Sequence, residues 1–281
     1  MNIDVMSASY IQAERIIRVE TSLGPDVLLP ERLTMRESLC GLFELTVSVS
    51  SKRVDVKAEE LVGKLADVSV ETGLGDRRTW NGLVTDLVEG PGVTRGLRAY
   101  TLVLRPEHWL LSQRSDCRIW LDKTSVEVAQ ILMGEHGLKS PVVKGIVTPP
   151  PAQHCSVQFN ETDLAYLTRR LEEDGIFWWF VHAGGSPGSV SATHTLHIAS
   201  DVSGYVEGPE TDVRFAMGSA DRNHVSKFEK RFRYLPGKRA GRDWNVETPS
   251  LTPSGQTPSL VKLPKNDGHG TEVRLTWVVW F

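Results

Sequence analysis

The segment that most constrains the fold runs from Val157 to Phe180 and reads VQFNETDLAYLTRRLEEDGIFWWF. Thr162 can cap a helix that begins at Asp163, where an acidic residue suits the positive end of the helix dipole. Gly175 supplies the left-handed conformation with which many helices end. The segment therefore predicts a capped helix, a glycine terminus and an aromatic strand over residues 176–180.

The side chains of this predicted helix divide into two faces. Its leucines recur at helical spacing and predict a buried stripe made of Leu164, Leu167 and Leu171. The charged residues predicted for the opposite side are Arg169, Arg170, Glu172 and Glu173. The helix is therefore expected to lie on a core with its charged side in water.

The order and spacing of this segment resemble the signature of the VgrG family, the Rhs element Vgr or type VI secretion spike proteins. The likeness is to the part of VgrG that is related to phage baseplate hubs. The residues that carry it are Asn160, Glu161, Thr162, Asp163, Leu164, Leu171, Glu172, Gly175 and Ile176. A second stretch is similar to the family at Arg118, Ile119, Asp122, Thr124, Val128, Ile131, Leu132, His136 and Gly137. The resemblance covers nearly the whole chain, from residue 16 to residue 273.

Strand patterns dominate the chain between residues 15 and 111. Apolar residues alternate with polar ones at Phe43, Leu45, Val47 and Val49, and a second alternating set is Tyr100, Leu102 and Leu104. Glycine-containing sequences at 73–76 and 89–92 predict turns between strands. Short strands with such turns predict a small antiparallel barrel or sandwich.

These patterns predict four parts: a first β-barrel at 1–111, a helical connecting segment at 112–175, strands of a second barrel region at 176–241, and an extended segment rich in Pro, Ser and Thr at 242–281. In the helical segment, Thr124 and Glu127 fit a capping box and Gly137 fits a helix end. The expected fold class is mainly β with some α. The resemblance implies two related small antiparallel β-barrels joined by a helical segment, as in phage baseplate hubs.

We make a separate prediction for each end of the chain. The apolar end WVVWF departs from the family pattern after Val273, which we interpret as a truncation or a shifted reading frame. The first twenty residues lack the basic and apolar stretches of a signal peptide, and no window has the length of apolar sequence that a membrane span needs. Synthesis in the cytosol is therefore expected, with export through an injection machine that uses no cleaved signal.

Composition excludes several classes of protein. Hydrophobic residues make up 40% and charged residues 24%, so a disordered or fibrous chain does not fit. The net charge of -3 gives no global basic field for nucleic acid or an anionic membrane. Cys40, Cys117 and Cys155 lack the spacing of a zinc site and are interpreted as reduced thiols.

Three histidines form the best candidate for a metal site, because His182, His194 and His197 could meet on a hairpin. However, His194 and His197 are three residues apart and should point to opposite faces of a strand. No acidic or cysteine ligand lies at a useful spacing, so we expect no bound metal.

Two arrangements could suggest catalysis. His154 and Cys155 could form a thiol nucleophile assisted by Glu161 or Asp163, but adjacent side chains on an extended segment diverge and no oxyanion signature is present. The carboxylates of residues 172–174, Glu172, Glu173 and Asp174, could suggest a glycosidase. At the end of an amphipathic helix, solvation or ion pairs with the neighbouring arginines are expected instead. No enzyme activity and no cofactor are predicted.

A basic run could bind nucleic acid through phosphate contacts and aromatic stacking. Its charged members are Lys227, Lys230, Arg231, Arg233, Lys238, Arg239 and Arg242, interleaved with Phe228, Phe232 and Tyr234. The favoured interpretation is a strand with its aromatic residues on one face and its charges in water or against an acidic neighbour.

The resemblance implies a structural function. It implies a homotrimer that caps a hexameric Hcp-type tube, contacts baseplate proteins, carries effectors and transmits force for envelope puncture. A trimer with two similar barrels per chain presents six similar modules to a sixfold tube. The alternative is a non-puncturing remnant, or an adaptor or hub protein of a prophage tail. Neither interpretation involves nucleic acid or stable membrane insertion.

Overall fold

The structure is a computed structural model that describes residues 10–73, 76–92, 96–205, 215, 224–236, 238–258 and 269–280. The chain divides into two compact units, Met1–Pro209 and Glu210–Phe281. Among the described residues, no helix has the length and apolar character to cross a membrane. The four-part division predicted above stays a prediction.

The first unit is built on a six-stranded antiparallel sheet with the strand order β1-β4-β5-β6-β3-β2. The strands are β1 (Ile17–Glu20), β2 (Leu29–Arg36), β3 (Glu44–Ser51), β4 (Leu65–Gly73), β5 (Asp76–Gly92) and β6 (Arg98–Arg105). A short helix, α1 (Ala58–Leu61), lies between β3 and β4. The two edge strands β1 and β2 also contact each other, so the sheet is curled.

The core of this sheet follows the predicted alternation. Phe43, Leu45, Val47 and Val49 are buried on and beside β3, and Tyr100, Leu102 and Leu104 are buried on β6. Leu45 pairs with Leu104 and Val49 pairs with Tyr100, so the two apolar sets share one face. The predicted fold class, mainly β with some α, is confirmed, and where the first barrel was predicted the sheet is antiparallel and curled.

Strand β2 was not predicted, because Pro30 and the two charged residues after it interrupt the apolar alternation. In the structure, the pairing of β2 with β3 shifts register between Pro30 and Arg32. A bulge on an edge strand accommodates a proline, which has no backbone N–H to donate.

The turn predicted at residues 89–92 is wrong. Strand β5 continues through this sequence to Gly92, and its pairing with β6 shifts register between Glu89 and Gly92. The glycines and Pro91 therefore form an irregular stretch of strand. Of the turn predicted at 73–76, Leu74 and Gly75 lie outside the described residues.

The segment predicted as helical is half helix and half strand. After a 3₁₀ helix (Glu107–Ser112) follow β7 (Ser115–Lys123), α2 (Ser125–Glu135), β8 (Val142–Gly145), β9 (Gln153–Thr162) and α3 (Asp163–Glu173). Both predicted helices are present, and Thr124 and Glu127 form the predicted capping box. The segment also contains strands that were not predicted, and of these β7 and β9 pair as an antiparallel ribbon.

The aromatic strand is part of a three-stranded sheet. β10 (Phe177–Ala183) and β11 (Thr193–Ala199) pair antiparallel, as the predicted hairpin requires, and β8 pairs parallel to β11. A short 3₁₀ helix (Val202–Gly204) follows. One continuous core joins this sheet to the six-stranded sheet and to both longer helices, with Trp178, Leu132 and Val68 among its members.

The second unit contains two antiparallel strand pairs among its described residues. β12 (His224–Pro236) pairs with β15 (His269–Trp280), and β13 (Lys238–Arg242) pairs with β14 (Ser254–Pro258). Within the segment predicted as extended after residue 241, β14 and β15 are strands, whose backbone is extended. A second closed barrel stays a prediction.

Candidate functional site: the signature segment

The helix of the signature segment starts at a side-chain cap. Thr162 is the N-cap of α3, as predicted, and its Oγ1 accepts a hydrogen bond of 3.1 Å from the backbone N–H of Ala165. Its backbone is extended, the geometry that an N-cap residue takes. Because Thr162 is also the last residue of β9, the chain changes from strand to helix without a loop.

Asp163 is fully buried and accepts hydrogen bonds from three directions. Its Oδ2 accepts from Nε of Arg114 at 2.6 Å and lies 2.8 Å from Nε2 of His136, while its Oδ1 accepts from Nε2 of Gln158 at 2.8 Å. Burial raises the pKa of this carboxyl, but the hydrogen bonds from His136, Gln158 and Arg114 outweigh burial and lower the pKa overall. Asp163 thus connects α3 to the end of α2 and to both strands of the ribbon.

Asn160 has a structural role of its own. Cys117 pairs with Phe159 and Asp116 pairs with Glu161, so Asn160 is an extra residue on β9. Its φ of 48° lies in the left-handed region, which asparagine tolerates better than most residues. The resulting bulge bends β9 immediately before the helix cap.

The carboxylates of the signature form ion pairs. Arg169 contacts Glu161 at 2.6 Å and Glu173 at 3.1 Å, and Arg170 contacts Glu173 at 2.6 Å. Burial raises the pKa of Glu173, but hydrogen bonds from Arg170, Gln153 and Arg169 outweigh it and lower the pKa. A general acid needs the opposite shift. Of the three carboxylates at the helix end, Glu173 forms the predicted ion pairs with the neighbouring arginines.

One prediction for the helix faces is wrong. Leu167 and Leu171 are buried and Leu164 is half-buried, as the leucine stripe predicts, but Arg170 is fully buried and does not lie in water. The helix contacts β9 and α2 as well as the 3₁₀ helix before β7, so more of its circumference is covered than the leucine spacing indicates. Arg170 reaches Glu173 one turn further along the helix.

The helix ends at Gly175, as predicted. Gly175 has a φ of 68°, its N–H donates to the carbonyl of Glu172 at 3.0 Å, and the N–H of Ile176 donates to the carbonyl of Leu171 at 2.8 Å. This pair of bonds is a Schellman motif, which satisfies carbonyls at the helix end and turns the chain into β10. Each polar end of α3 is therefore satisfied locally.

The family match of the whole sequence agrees with the structure of the signature segment. The chain matches the family described as phage tail baseplate hub (GPD) over residues 36–273. The chain belongs to the phage tail baseplate hub family. The predicted resemblance to VgrG spike proteins is confirmed at the level of this family and of the relatives below.

Two spike proteins from Pseudomonas aeruginosa are similar to this hub protein. The type VI secretion system spike protein VgrG1a is 30% identical over 246 residues, which cover 85% of this chain and 36% of VgrG1a. VgrG1c is 27% identical over 245 residues, which cover 85% of this chain and 32% of VgrG1c. The chain therefore spans about a third of the length of these curated relatives.

A solved structure supports the fold. The Escherichia coli c3393 protein matches with a TM-score of 0.58 and 18% identity, over 82% of this chain and 56% of that one. That protein is described as a component of the type VI secretion system with structural similarity to the T4 bacteriophage tail proteins gp27 and gp5. At this identity the likeness shows the fold alone.

Two of the three candidate metal histidines of the hub protein, His182 and His194, are held in a hydrogen-bond network. His182 and His194 are cross-strand partners, whereas His197 pairs with Trp179. Nδ1 of His194 lies 2.8 Å from Oδ1 of Asn81, and Nε2 of His194 accepts from a backbone N–H at 3.0 Å. Nδ1 of His182 accepts from the backbone N–H of Asn81 at 3.2 Å. No cluster of three or more potential ligands occurs among the described residues.

This network attaches the β10–β11 hairpin to the six-stranded sheet. Asn81 donates to Oδ1 of Asp67 at 2.7 Å, and Oδ2 of Asp67 accepts from the backbone N–H groups of Ser191 and Ala192 at 2.7 and 2.8 Å. Burial lowers the pKa of His194 to about 4 and that of His182 to about 3. His182 and His194 are therefore neutral in the folded state. The sequence did not reveal that they attach the hairpin to the sheet, because Asp67 and Asn81 are distant from them in the chain.

The candidate nucleophile pair is separated by the strand geometry. Nδ1 of His154 lies 2.9 Å from Oδ1 of Asp122, at an exposed end of the ribbon. Cys155 pairs with Leu121 on the other face, so the predicted divergence of the two side chains is confirmed. Glu161 and Asp163 are engaged elsewhere, as described above. None of the three cysteines forms a disulfide within the chain.

The basic run lies on β12 and β13. Of its members, Lys227 and Arg242 are exposed, while the other side chains lie outside the described residues. The preference for a structural strand over a nucleic-acid surface therefore stays a prediction.

The ribbon also has a feature that sequence reasoning did not single out. We call the side facing away from the helices the outer ribbon face; its residues are Cys117, Ile119, Leu121, Cys155, Val157 and Phe159. All six are exposed, although none is charged or strongly polar. The alternation in CRIWL and CSVQF could have revealed it, since every second residue is apolar.

Proposed function

We propose that this chain forms the structural base of a spike, as a hub component of a type VI secretion contractile injection machine. The match to the baseplate hub family over residues 36–273 carries the proposal. The similar proteins from Pseudomonas aeruginosa are named as type VI spike proteins, which favours this machine. Because the chain spans about a third of those relatives, the proposal concerns the corresponding part of a spike.

In this proposal, three copies assemble and cap a hexameric Hcp-type tube. Two similar barrels in each chain give six similar modules in a trimer. Each of the six subunits of the tube can then contact one module. The curled six-stranded sheet of the first unit supplies the first barrel. The limits of the second barrel are those predicted from the sequence, within residues 176–241.

The work of this part is mechanical. Contraction powered elsewhere drives tube and spike through a target envelope, and the hub transmits the force and carries effectors outward. Bonds between distant parts of the first unit suit this role. Asp163 connects α3 to α2 and the ribbon, and Asp67 connects β4 to the loop before β11. The protein is made in the cytoplasm and leaves through the machine itself.

No catalytic activity is part of the proposal. Among the carboxylates that could suggest a glycosidase, Glu173 is paired with two arginines. Among the histidines that could suggest a metal site, His182 and His194 are hydrogen-bonded within the fold. The relatives reported above are named for a spike and not for a reaction.

The proposal is tested by mass and by tube binding. Light scattering after size-exclusion chromatography should give the mass of three chains, and the purified protein should bind an Hcp-type hexamer from the same organism at one trimer per hexamer. A protein that binds no tube would contradict the type VI assignment. Binding to a prophage tail tube instead would favour the alternative of a tail hub.

A further inference from the structure

The ribbon formed by β7 and β9 has its polar side chains on the inner side and its apolar side chains on the outer side. On the side that faces α2 and α3 lie polar side chains together with Trp120, whereas the side that faces away carries the six residues of the outer ribbon face. Ile119 is 65% exposed and Phe159 is 77% exposed. A strand pair on the surface of a soluble protein normally has the opposite arrangement.

Contacts on the inner side fix this orientation. The ring of Trp120 stacks on Tyr166 of α3 with centroids 5.6 Å apart, and the hydroxyl of Tyr166 donates to Oγ of Ser156 at 2.9 Å. Gln158 is fully buried and donates to Asp163. A rotation of the ribbon would break all of these contacts, so the apolar side is held outward.

The size of the outer ribbon face suits one protein interface. Leu121 is 57% exposed and Val157 is 46% exposed. Together with Ile119 and Phe159 they expose roughly 400 Å² of apolar surface, which is typical of an interaction patch. An interface of standard size buries about 800 Å² on each partner, of which somewhat more than half is nonpolar. The face therefore supplies about the nonpolar part of one such interface, which in a trimer is divided between the two neighbours of each chain.

The charges around the outer ribbon face favour a second copy of this chain as the partner. The face itself has no charge, and β7 carries Asp116 before it and Lys123 after it. Two copies of a neutral face flanked by both signs can meet without net repulsion, whereas nucleic acid or an anionic lipid surface would find no positive patch on it.

We propose that the outer ribbon face is a contact between copies of this chain, in which three ribbons pack around a common axis. The inference rests on the proposed trimer and identifies the surface that forms it. An element beside a threefold axis meets its own copies, so one apolar face serves as both sides of the contact and needs no separate complementary surface. The six residues of each ribbon then become a shared core.

The test compares two exposed sites of similar chemistry in the full chain. Phe159→Glu introduces a charge on the outer ribbon face, and Val147→Glu introduces the same charge at a residue that is 65% exposed elsewhere. By light scattering, we expect three-chain mass for the wild type and for Val147→Glu, and one-chain mass for Phe159→Glu. Circular dichroism should be unchanged in both variants, because both residues are exposed in the single chain. The thermal midpoint should fall only for Phe159→Glu, because that variant loses the stabilisation that association gives.

The outcomes separate this inference from the proposed function. If the wild type and Phe159→Glu both have three-chain mass, the trimer stands and the ribbon contact is overturned. If the wild type has one-chain mass over the accessible concentration range, the proposed trimer fails and the ribbon contact fails with it.

A second measurement starts from the wild-type chain and uses only Cys→Ser changes, which alter the side chain very little. A short bis-maleimide should link wild-type chains through the thiols of the outer ribbon face, and Cys117→Ser combined with Cys155→Ser should abolish the linked species. Cys40→Ser, which removes a half-buried thiol away from the ribbon, should leave linking unchanged. Linking that persists without both ribbon cysteines would overturn the proposal.

Discussion

Nε of Arg114 donates a hydrogen bond of 2.6 Å to Oδ2 of Asp163, although 49 residues separate the two in the chain. The backbone N–H of Asp163 also donates to the carbonyl of Arg114 at 3.0 Å. Arg114 pairs in addition with Glu135 at the end of α2. The start of α3 is thereby fixed to the entry of β7 by backbone and side chain together.

Replacing Asp163 by alanine should destabilise the first unit. The change leaves the donors of Arg114, His136 and Gln158 without their shared acceptor, and loss of one partner from a buried ionic network costs about 3 kcal/mol. The free energy of unfolding, measured by urea titration at pH 7, checks this expectation.

Glu161→Ala provides the control for Asp163→Ala. Glu161 is also part of the signature, but its ion pair with Arg169 is partly exposed, and such pairs contribute about 1 kcal/mol or less. Equal losses in the two variants would contradict the central position that we give to Asp163.

The sequence predicts local structure of the signature well, because caps and helix ends depend on neighbouring residues. Thr162 and Gly175 act as their residue types indicate. The positions of Asp163 and Arg170 were not predictable in the same way. Whether a charged residue is buried depends on which elements cover it. Arg114, α2 and the 3₁₀ helix before β7 lie far from α3 in the sequence, so the leucine pattern does not show their contacts.

Replacing Thr162 by alanine should reduce stability by about 1 kcal/mol, because the N–H of Ala165 loses its acceptor at the helix start. Thr162→Ser keeps the hydroxyl and should retain most of the stability. Thr168→Ala makes the same chemical change in the middle of α3 and should alter stability by less than about 0.5 kcal/mol. The thermal midpoints of the three variants rank their stabilities. A Thr162→Ala variant as stable as Thr168→Ala would contradict the assignment of Thr162 as the helix cap.

Two glycines in similar surroundings should respond to alanine in opposite directions. Gly175 has a φ of 68°, so alanine there is strained although no atom lies within 4 Å of an added Cβ, and we expect a loss of about 1 kcal/mol. Gly134 lies inside α2 with equally open space, so alanine should stabilise it by about 0.5–1 kcal/mol. Chemical denaturation measures both, and a stabilising Gly175→Ala would refute the left-handed helix end.

The ribbon and the β10–β11 hairpin show where sequence reasoning reaches its limit. Apolar alternation in CRIWL and CSVQF indicates strands, but it cannot tell which side is covered, and here the apolar side is the exposed one. Spacing likewise separates His194 from His197 correctly, yet it gives no sign that His194 contacts Asn81 on β5. Both features depend on tertiary packing.

The buried histidines predict how stability depends on pH. Burial lowers the pKa of His108 to about 3, that of His182 to about 3 and that of His194 to about 4, whereas an unfolded chain has histidines near their ordinary value of 6.5. Between these values the unfolded state binds more protons than the folded state. Stability is therefore complete above pH 6.5 and falls as the pH decreases towards 4.

Replacing His182 by phenylalanine should make this pH dependence shallower. His182 lies 4.8 Å from the ring of Phe43, so an aromatic replacement fills the same space without a group that titrates. Each such histidine contributes up to about 1.4 kcal/mol of lost stability per pH unit in this window. Urea unfolding of the wild type and of His182→Phe at pH 7 and pH 4.5 measures the difference. An unchanged slope in His182→Phe would mean that His182 is already protonated in the folded protein at pH 4.5.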